Sequence, residues 1–207
     1  MVVLPRSFYA RGAEAVAKDL LGCILVRRLP DGTRCRARIV ETEAYIGEHD
    51  LASHARAGKT RRTGTMYGPP GHAYIYLIYG IHHMLNIVCG EEGDPQAVLI
   101  RAGEPLDGWD ARLSGPGLVA SALGLQRAHD GADLLKGDLT VHKGTPPPAA
   151  RIARGPRVGV AYAGTWAAEH LRFADLGSPA VSRPPLPAPA SAIDALSRQA
   201  RVGRPRG

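Results

Sequence analysis

The sequence predicts a single α+β domain, and three observations carry that expectation. Short apolar or alternating segments recur between turns marked by Gly and Pro, the pattern of antiparallel hairpins. Two stretches show helical periodicity, and no unit of roughly 20 to 50 residues repeats, which excludes solenoids and propellers. The chain has 207 residues. A chain of that size buries roughly 70% of its unfolded surface, enough for a core without staples.

The first helix is expected from Ala13 to Leu21, where Ala13, Val16, Ala17 and Leu20 share a stripe and Gly22 ends it. A strand from Cys23 to Leu29, a turn at Pro30-Asp31-Gly32 and a strand from Cys35 to about Tyr45 make a hairpin. Residues 46–72 carry Gly, Pro, Ser, Thr and Arg without a sustained period, and read as loop with a short helix near Leu51. Strands from Ala73 to Tyr79 and from Met84 to Cys89 meet at a tight link at Gly80, and a fifth runs from Ala97 to Ala102. Gly115-Pro116-Gly117 introduces a helix from Leu118 to Leu125. Ile152 to Tyr162 supplies turn and strand signals, and Leu171 to Phe173 a short strand. From Arg183 onward the chain carries Pro184, Pro185, Pro187, Pro189 and Pro205 with five arginines and one Asp. The expected organisation is therefore a domain over residues 1–182 and a basic, disordered tail over 183–207.

Composition narrows the class of function. Hydrophobic residues at 44% and charged residues at 22% argue against a disordered chain. The apolar stretch from Ala73 to Ile81 is too short to span a bilayer, and no basic-then-apolar leader is visible at the amino end. A cytoplasmic protein without a membrane partner is expected, nucleoid-associated if bacterial. Cys23, Cys35 and Cys89 stand apart in odd number, as reduced thiols do. His82, His83 and Cys89 lack the spacing of a tetrahedral set, so neither a metal nor another cofactor is expected.

Twenty-six basic residues against 19 acidic ones leave a net charge of +7, which favours a polyanionic partner. The charges are unevenly placed. No Asp or Glu lies between Asp50 and Glu91, although about four would be expected at the average density. The same interval holds Arg56, Lys59, Arg61, Arg62 and the tyrosines Tyr67, Tyr74, Tyr76 and Tyr79. A cationic loop beside an aromatic hairpin offers phosphate attraction and base stacking together. It also suits a solvated loop beside a strand whose tyrosines pack inward. Tyr79, just before Gly80, falls at a hairpin tip, where a tyrosine can wedge into a base stack or merely cover the turn.

Between Arg36 and Tyr45, period-2 alternation puts Ile39, Glu41, Glu43 and Tyr45 on one face. Mutual repulsion and partial burial would raise a carboxyl pKa there and suit one glutamate to general-base work, with Arg101 as its partner. Spacing does not choose between them. The same pattern fits an exposed edge strand whose glutamates pair with Arg36 or Arg38.

These segments together resemble the alkyladenine (3-methyladenine) DNA glycosylases. The resemblance runs through Glu41-Thr42-Glu43-Ala44-Tyr45, His54, Gly71, Tyr74-Ile75-Tyr76-Leu77-Ile78-Tyr79-Gly80 and Asn86. It continues through Val98-Leu99-Ile100-Arg101-Ala102, Ser114-Gly115-Pro116-Gly117 and Arg157-Val158-Gly159-Val160, covering about Leu4 to Ser182. The resemblance implies a curved antiparallel sheet with surrounding helices. It further implies hydrolysis of the N-glycosidic bond of alkylated or deaminated purines in double-stranded DNA. By motif position Glu43, not Glu41, is the general base, and Arg101 holds the same water. Tyr45, His54 and Tyr76 line the flipped-base pocket, Asn86 crowds a guanine amino group, and Tyr79 fills the gap left in the duplex. Lys59, Arg61 and Arg62 read as phosphate contacts. No lysine falls at a matched pocket position, so a monofunctional enzyme is expected; metal independence and a monomeric state are expected as well. The chain departs from the family in carrying Leu118 where a lysine usually follows Gly-Pro-Gly. Two competing expectations are a nucleic-acid binder without catalysis and a relative turned toward RNA or a rare lesion.

Overall fold

The first hairpin is written in its turn. β1 (Ile24–Arg28) and β2 (Arg34–Ile46) run antiparallel around Gly32, whose φ of 87° suits glycine, while Asp31 Oδ1 accepts a hydrogen bond from Thr33 N at 2.9 Å. The computed structural model describes residues 1–78 and 80–188. Within it, β3 (Ala73–Ile78) and β4 (His82–Cys89) form a second antiparallel hairpin, and β5 (Gln96–Pro105) lies between β4 and β2. The strand order is β3-β4-β5-β2-β1-β6, with β6 (Leu139–His142) on the far side of β1. β7 (Ile152–Gly155) pairs with β8 (Arg172–Asp175), and β8 also pairs with Glu41–Glu43 of β2. The sheet is antiparallel throughout and curls into a half-barrel, so the fold is α+β as expected, mostly sheet.

Among the described residues three short helices accompany it: α1 (Arg6–Tyr9), α2 (Ala13–Asp19) and α3 (Pro116–Ala122). α2 buries Ala13, Val16 and Ala17, which join Leu20, Leu25, Ile39, Ala44, Ile75, Leu85 and Ile100 in the main core. Burying each such leucine, isoleucine or valine contributes about 1.5–3 kcal/mol. α3 starts at Pro116, two residues before the expected Leu118, because proline at a helix's first position lacks only an N–H that would go unpaired.

β2 changes face in mid-strand, and this corrects the simple alternation. The pairing Ile39↔Gly103 passes to Glu41↔Ala102 and then to Thr42↔Ile100. Val40 is therefore the extra residue on β2 and Arg101 the extra residue on β5. Before the bulge Cys35, Ala37 and Ile39 point into the main core; after it Ala44 does, and Thr42 Oγ1 donates to Ala17 O at 2.8 Å. Ile39 consequently faces away from Glu41, Glu43 and Tyr45. A bulge of this kind re-aims side chains. Here a matched pair turns two glutamates and an arginine to the side opposite the main core. β2 is also no edge: β1 and then β8 cover one side and β5 the other. Arg38 instead pairs with Glu104 and Asp175, and Arg36 with Asp107.

Further differences concern short elements. β6 has four residues between Gly137 and Gly144, too few to display a period, and its place is set by β1. Residues 46–72 hold 3-10 turns at His54–Ala57 and Gly64–Tyr67, with a plain turn at Leu51 where a helix was expected. The expected boundary after Ser182 cuts through packed structure. Leu186 is buried against Ala153 and Ala174, in space left by the missing side chain of Gly155, and Arg172 Nη2 donates to Pro184 O at 2.7 Å. The remainder of the expected tail, residues 189–207, lies outside the described residues, as does Tyr79. No helix among the described residues is long and apolar enough to cross a membrane.

Candidate active site

Beyond the bulge, Glu43 points to the side opposite α2 and is completely buried. Its Oε1 accepts a hydrogen bond from Val158 N at 2.8 Å, its Oε2 accepts one from Tyr45 Oη at 2.9 Å, and Arg101 Nη1 lies 3.2 Å from Oε1. Burial is the largest influence and raises its pKa above the ordinary carboxylate value, against the opposing pull of Arg101, the Val158 N–H and the Tyr45 hydroxyl. Glu41 has a different environment. Its Oε1 accepts from Arg101 Nε (2.8 Å), Arg172 Nε (2.7 Å) and Ser182 Oγ (2.9 Å), and its Oε2 from Ser182 N (2.6 Å). Four donors converge on one carboxylate, three of them on Oε1. Geometry thus separates the two glutamates that spacing left equivalent.

In front of Glu43 lies a cavity of about 330 Å³, within the range of small-ligand sites. Tyr45, His54, Tyr76, Asn86 and Arg101 all line it, so five of the sequence-derived residues converge on one space. Glu43 does not border it directly; its hydrogen-bonding neighbours Tyr45, Arg101 and Val158 do. The wall is aromatic. His54 stands edge-on to Tyr76 with ring centroids 4.4 Å apart, and Tyr74 lies 5.6 Å from Tyr76. Arg62 Nη2 donates to His54 Nε2 at 3.2 Å, which leaves His54 Nδ1–H to donate to Tyr74 Oη at 3.1 Å. Burial, reinforced by Arg62 and Arg56, lowers the His54 pKa to about 4, so the ring is neutral at physiological pH. Asn86 is buried, and its Nδ2 donates to Tyr74 O at 3.3 Å.

An ion pair backs the part of the wall formed by Tyr45 and Val158. Arg157 donates to both oxygens of Asp50, at 2.5 and 2.8 Å, with both side chains fully buried, and its guanidinium lies 4.8 Å from the Tyr45 ring centre. Arg157 thereby supports Tyr45 from behind and anchors the loop whose next residue, Val158, binds Glu43.

Of the expected phosphate contacts, Lys59, Arg61 and Arg62 are all exposed on the loop beside the cavity. Lys59 Nζ sits 5.7 Å from the Tyr67 ring and Arg62 5.4 Å from that of Tyr76. Leu118 is exposed at 40%. Sequence reasoning missed Tyr162, which lines the cavity while 59% exposed, with Oη donating to Ala52 O at 3.1 Å and Arg56 over its ring at 4.8 Å. It also missed Met66, Met84, Leu99 and Val160 in the lining. Nothing in local spacing marks these, since the chain brings them together only through the sheet's curl.

Residues 7–179 match the family model described as methylpurine-DNA glycosylase. The chain is 55% identical over 182 residues to a protein of Anaeromyxobacter dehalogenans (strain 2CP-1), covering 88% of this chain and 86% of that one. It is 53% identical over 186 residues to a protein of Myxococcus xanthus, covering 89% and 95%. Identity to a protein of Methanocella arvoryzae is 50% over 197 residues, covering 88% and 97%. All three bear the name "Putative 3-methyladenine DNA glycosylase".

Proposed function

Because the chain belongs to the methylpurine-DNA glycosylase family, we propose that it is a monofunctional DNA glycosylase of base excision repair. It takes an alkylated or deaminated purine out of double-stranded DNA, 3-methyladenine foremost, and hydrolyses the N-glycosidic bond to leave an abasic site. One observation supports this most: a buried carboxylate, Glu43, held by an N–H, an O–H and a guanidinium behind a cavity walled by tyrosines and a neutral histidine.

A base within a duplex is out of reach of such a cavity, so it rotates out at a cost of a few kcal/mol, least for a damaged base. Tyr79 offsets that cost by stacking where the base stood, while Lys59, Arg61 and Arg62 hold the phosphates. Tyr45 and Tyr76 stack on the extruded purine, and their faces favour a cationic alkylated base. His54, kept neutral, adds no repelling charge. Asn86, fixed by the Tyr74 carbonyl, bounds the side where a guanine amino group would sit. As the bond breaks, positive charge builds on the sugar. Glu43 accepts the proton of the attacking water and stabilises that charge electrostatically; Arg101 orients the water. Its raised pKa brings the base nearer to neutrality, where general bases work best.

No lysine lines the cavity among the described residues, which supports hydrolysis by water rather than attack by an amine. We assign no metal to the reaction and take the protein to act as a monomer, in the cytoplasm or on the nucleoid.

The test is release of free base from duplexes carrying 3-methyladenine or hypoxanthine, with chelator present, followed together with alkali-labile sites. Release in chelator, with no protein–DNA adduct trapped by borohydride, is the expected result. A trapped adduct would replace water by an amine nucleophile, and a requirement for added divalent ion would bring in a metal. Tight DNA binding without release would favour a binder. Tyr79→Ala is expected to weaken capture of lesion duplex by about 5- to 150-fold, the worth of one base stack at about 1–3 kcal/mol, with the melting temperature unchanged. Equal capture by the variant would remove the wedge.

A further inference from the structure

Arg101 has all three guanidinium nitrogens engaged, and only one of them reaches Glu43. Nε donates to Glu41, Nη2 donates to Ser182 Oγ at 2.9 Å, and Nη1 faces Glu43. Glu41 in turn is shared with Arg172, whose Nη2 donates to the carbonyls of Ser182 (3.1 Å) and Pro184 (2.7 Å). These groups are buried: Glu41 and Glu43 are fully inaccessible, Arg172 is 1% exposed, Ser182 4% and Arg101 5%. Two arginines therefore sit among two glutamates in a matched set, on three strands and a segment that returns from the end of the fold.

We infer that Glu41, Arg172 and Ser182 are positioning residues, which fix the plane of Arg101 so that its Nη1 points at Glu43. This rests on the reading of Glu43 as the general base. A guanidinium is planar, so two anchored nitrogens determine where the third points. Arg101 is the extra residue of the β5 bulge, where the strand's own ladder constrains it least. Its aim must come from side-chain partners. Glu41 supplies the anchor in the same strand as Glu43, two residues away. Arg172 neutralises the remaining charge on Glu41, so that Arg101 is not drawn wholly to the anchor. The segment through Ser182, pinned by Leu186 on Ala153 and Ala174, closes the frame. Residues that follow the expected domain boundary are thus part of the active-site architecture.

The experiment uses the full chain and whichever of hypoxanthine or 3-methyladenine duplex the wild type clears faster. Single-turnover excision is measured against pH, with lesion-duplex affinity and melting temperature in parallel. The titratable and charged groups around Glu43 are Arg101 from β5, its cross-strand partner Arg172 from β8, Arg157 from the loop between β7 and β8, Glu41 and Tyr45 from its own strand, and Tyr76 from β3. Glu41→Gln removes a negative neighbour that raises the Glu43 pKa. Its acid limb is expected to move lower, while misalignment of Arg101 lowers the plateau rate about 10- to 100-fold. Arg172→Lys keeps the charge and loses the fork; the plateau falls similarly and the limb stays. Ser182→Ala removes one hydroxyl and no charge, so the test stands even if the charge variants fail to fold; its plateau falls about threefold to tenfold. Affinity stays within about twofold in all three, because none of them lines the cavity. A folded Glu41→Gln with the wild-type limb and plateau, or a Ser182→Ala with the wild-type rate, would overturn the inference, as would variants that lose only melting temperature. Wild-type protein releasing no base would instead overturn the reading beneath it.

Discussion

Replacing Glu43 with Gln is expected to lower single-turnover excision by about 10²- to 10⁴-fold, the contribution of a positioned general base, without weakening lesion-duplex binding. Glutamine has nearly the same volume and keeps a carbonyl oxygen for the Val158 N–H, so the loop and the Tyr45 ring stay in place. What disappears is the proton acceptor and the negative charge behind the cavity. Binding survives because Glu43 is not among the cavity-lining residues. Arg101 is not left unpaired, since Glu41 still accepts from its Nε. The melting temperature should change little, because relief from desolvating this fully buried carboxylate opposes the cost of leaving Arg101 and Arg172 with Glu41 alone. Three measurements check this together: rate, affinity and melting temperature. The pH profile adds a fourth. Burial raises the Glu43 pKa, so wild-type activity should fall on the acid side at a pH above the ordinary carboxylate range, as protonation removes the base. The Gln variant should lack that limb. Activity near wild type in a folded variant would move the base to another group, and loss of binding in step with rate would make Glu43 a recognition residue.

The parts of this molecule that were legible in the sequence are those whose cause is local. The hairpin turn at Asp31-Gly32 combines a side-chain hydrogen bond with a positive φ, both visible as residue types. The α2 stripe and the β3–β4 hairpin follow from periodicity and a glycine link. Among site residues, resemblance chose Glu43 over Glu41, and geometry gives the physical contrast: one carboxylate has four donors from partners remote in sequence, the other has a cavity in front of it. That contrast was illegible because Arg172 and Ser182 lie more than a hundred residues away, in segments that read as a short strand and a linker. The bulge at Val40 and Arg101 was illegible for a related reason. A strict alternation over Ile39, Glu41, Glu43 and Tyr45 looks regular, and only the partner strand reveals the extra residues. The domain boundary after Ser182 rests on composition, where prolines and arginines suggest a tail. Composition is silent about Leu186, a single apolar residue that finds a seat left open by Gly155.

Asp50→Ala is expected to have the largest effect on stability, because it strands a buried charge. Asp50 accepts two hydrogen bonds from Arg157 and one each from Ile46 N (3.2 Å) and Ala52 N (3.0 Å), with no solvent access to either side chain. Removing one partner of such a pair costs about 3–5 kcal/mol. For a chain of this size each kcal/mol is worth about 2–4 °C, so the melting temperature should fall by roughly 6–20 °C. Excision should fall as well, beyond what the unfolded fraction explains. Arg157 carries Val158, whose N–H holds Glu43, and it backs the Tyr45 ring from 4.8 Å. The two effects can be separated. Combining Asp50→Ala with Arg157→Met replaces the pair by an apolar side chain and should recover much of the melting temperature, as removal of both members of a buried pair often does. Excision should not recover, because a methionine neither donates to Ala44 O, as Arg157 Nη1 does at 2.9 Å, nor fixes the loop that presents Val158. A double variant that regains both stability and rate would mean that the ion pair serves the fold alone, and that Val158 and Tyr45 are held by the rest of the wall.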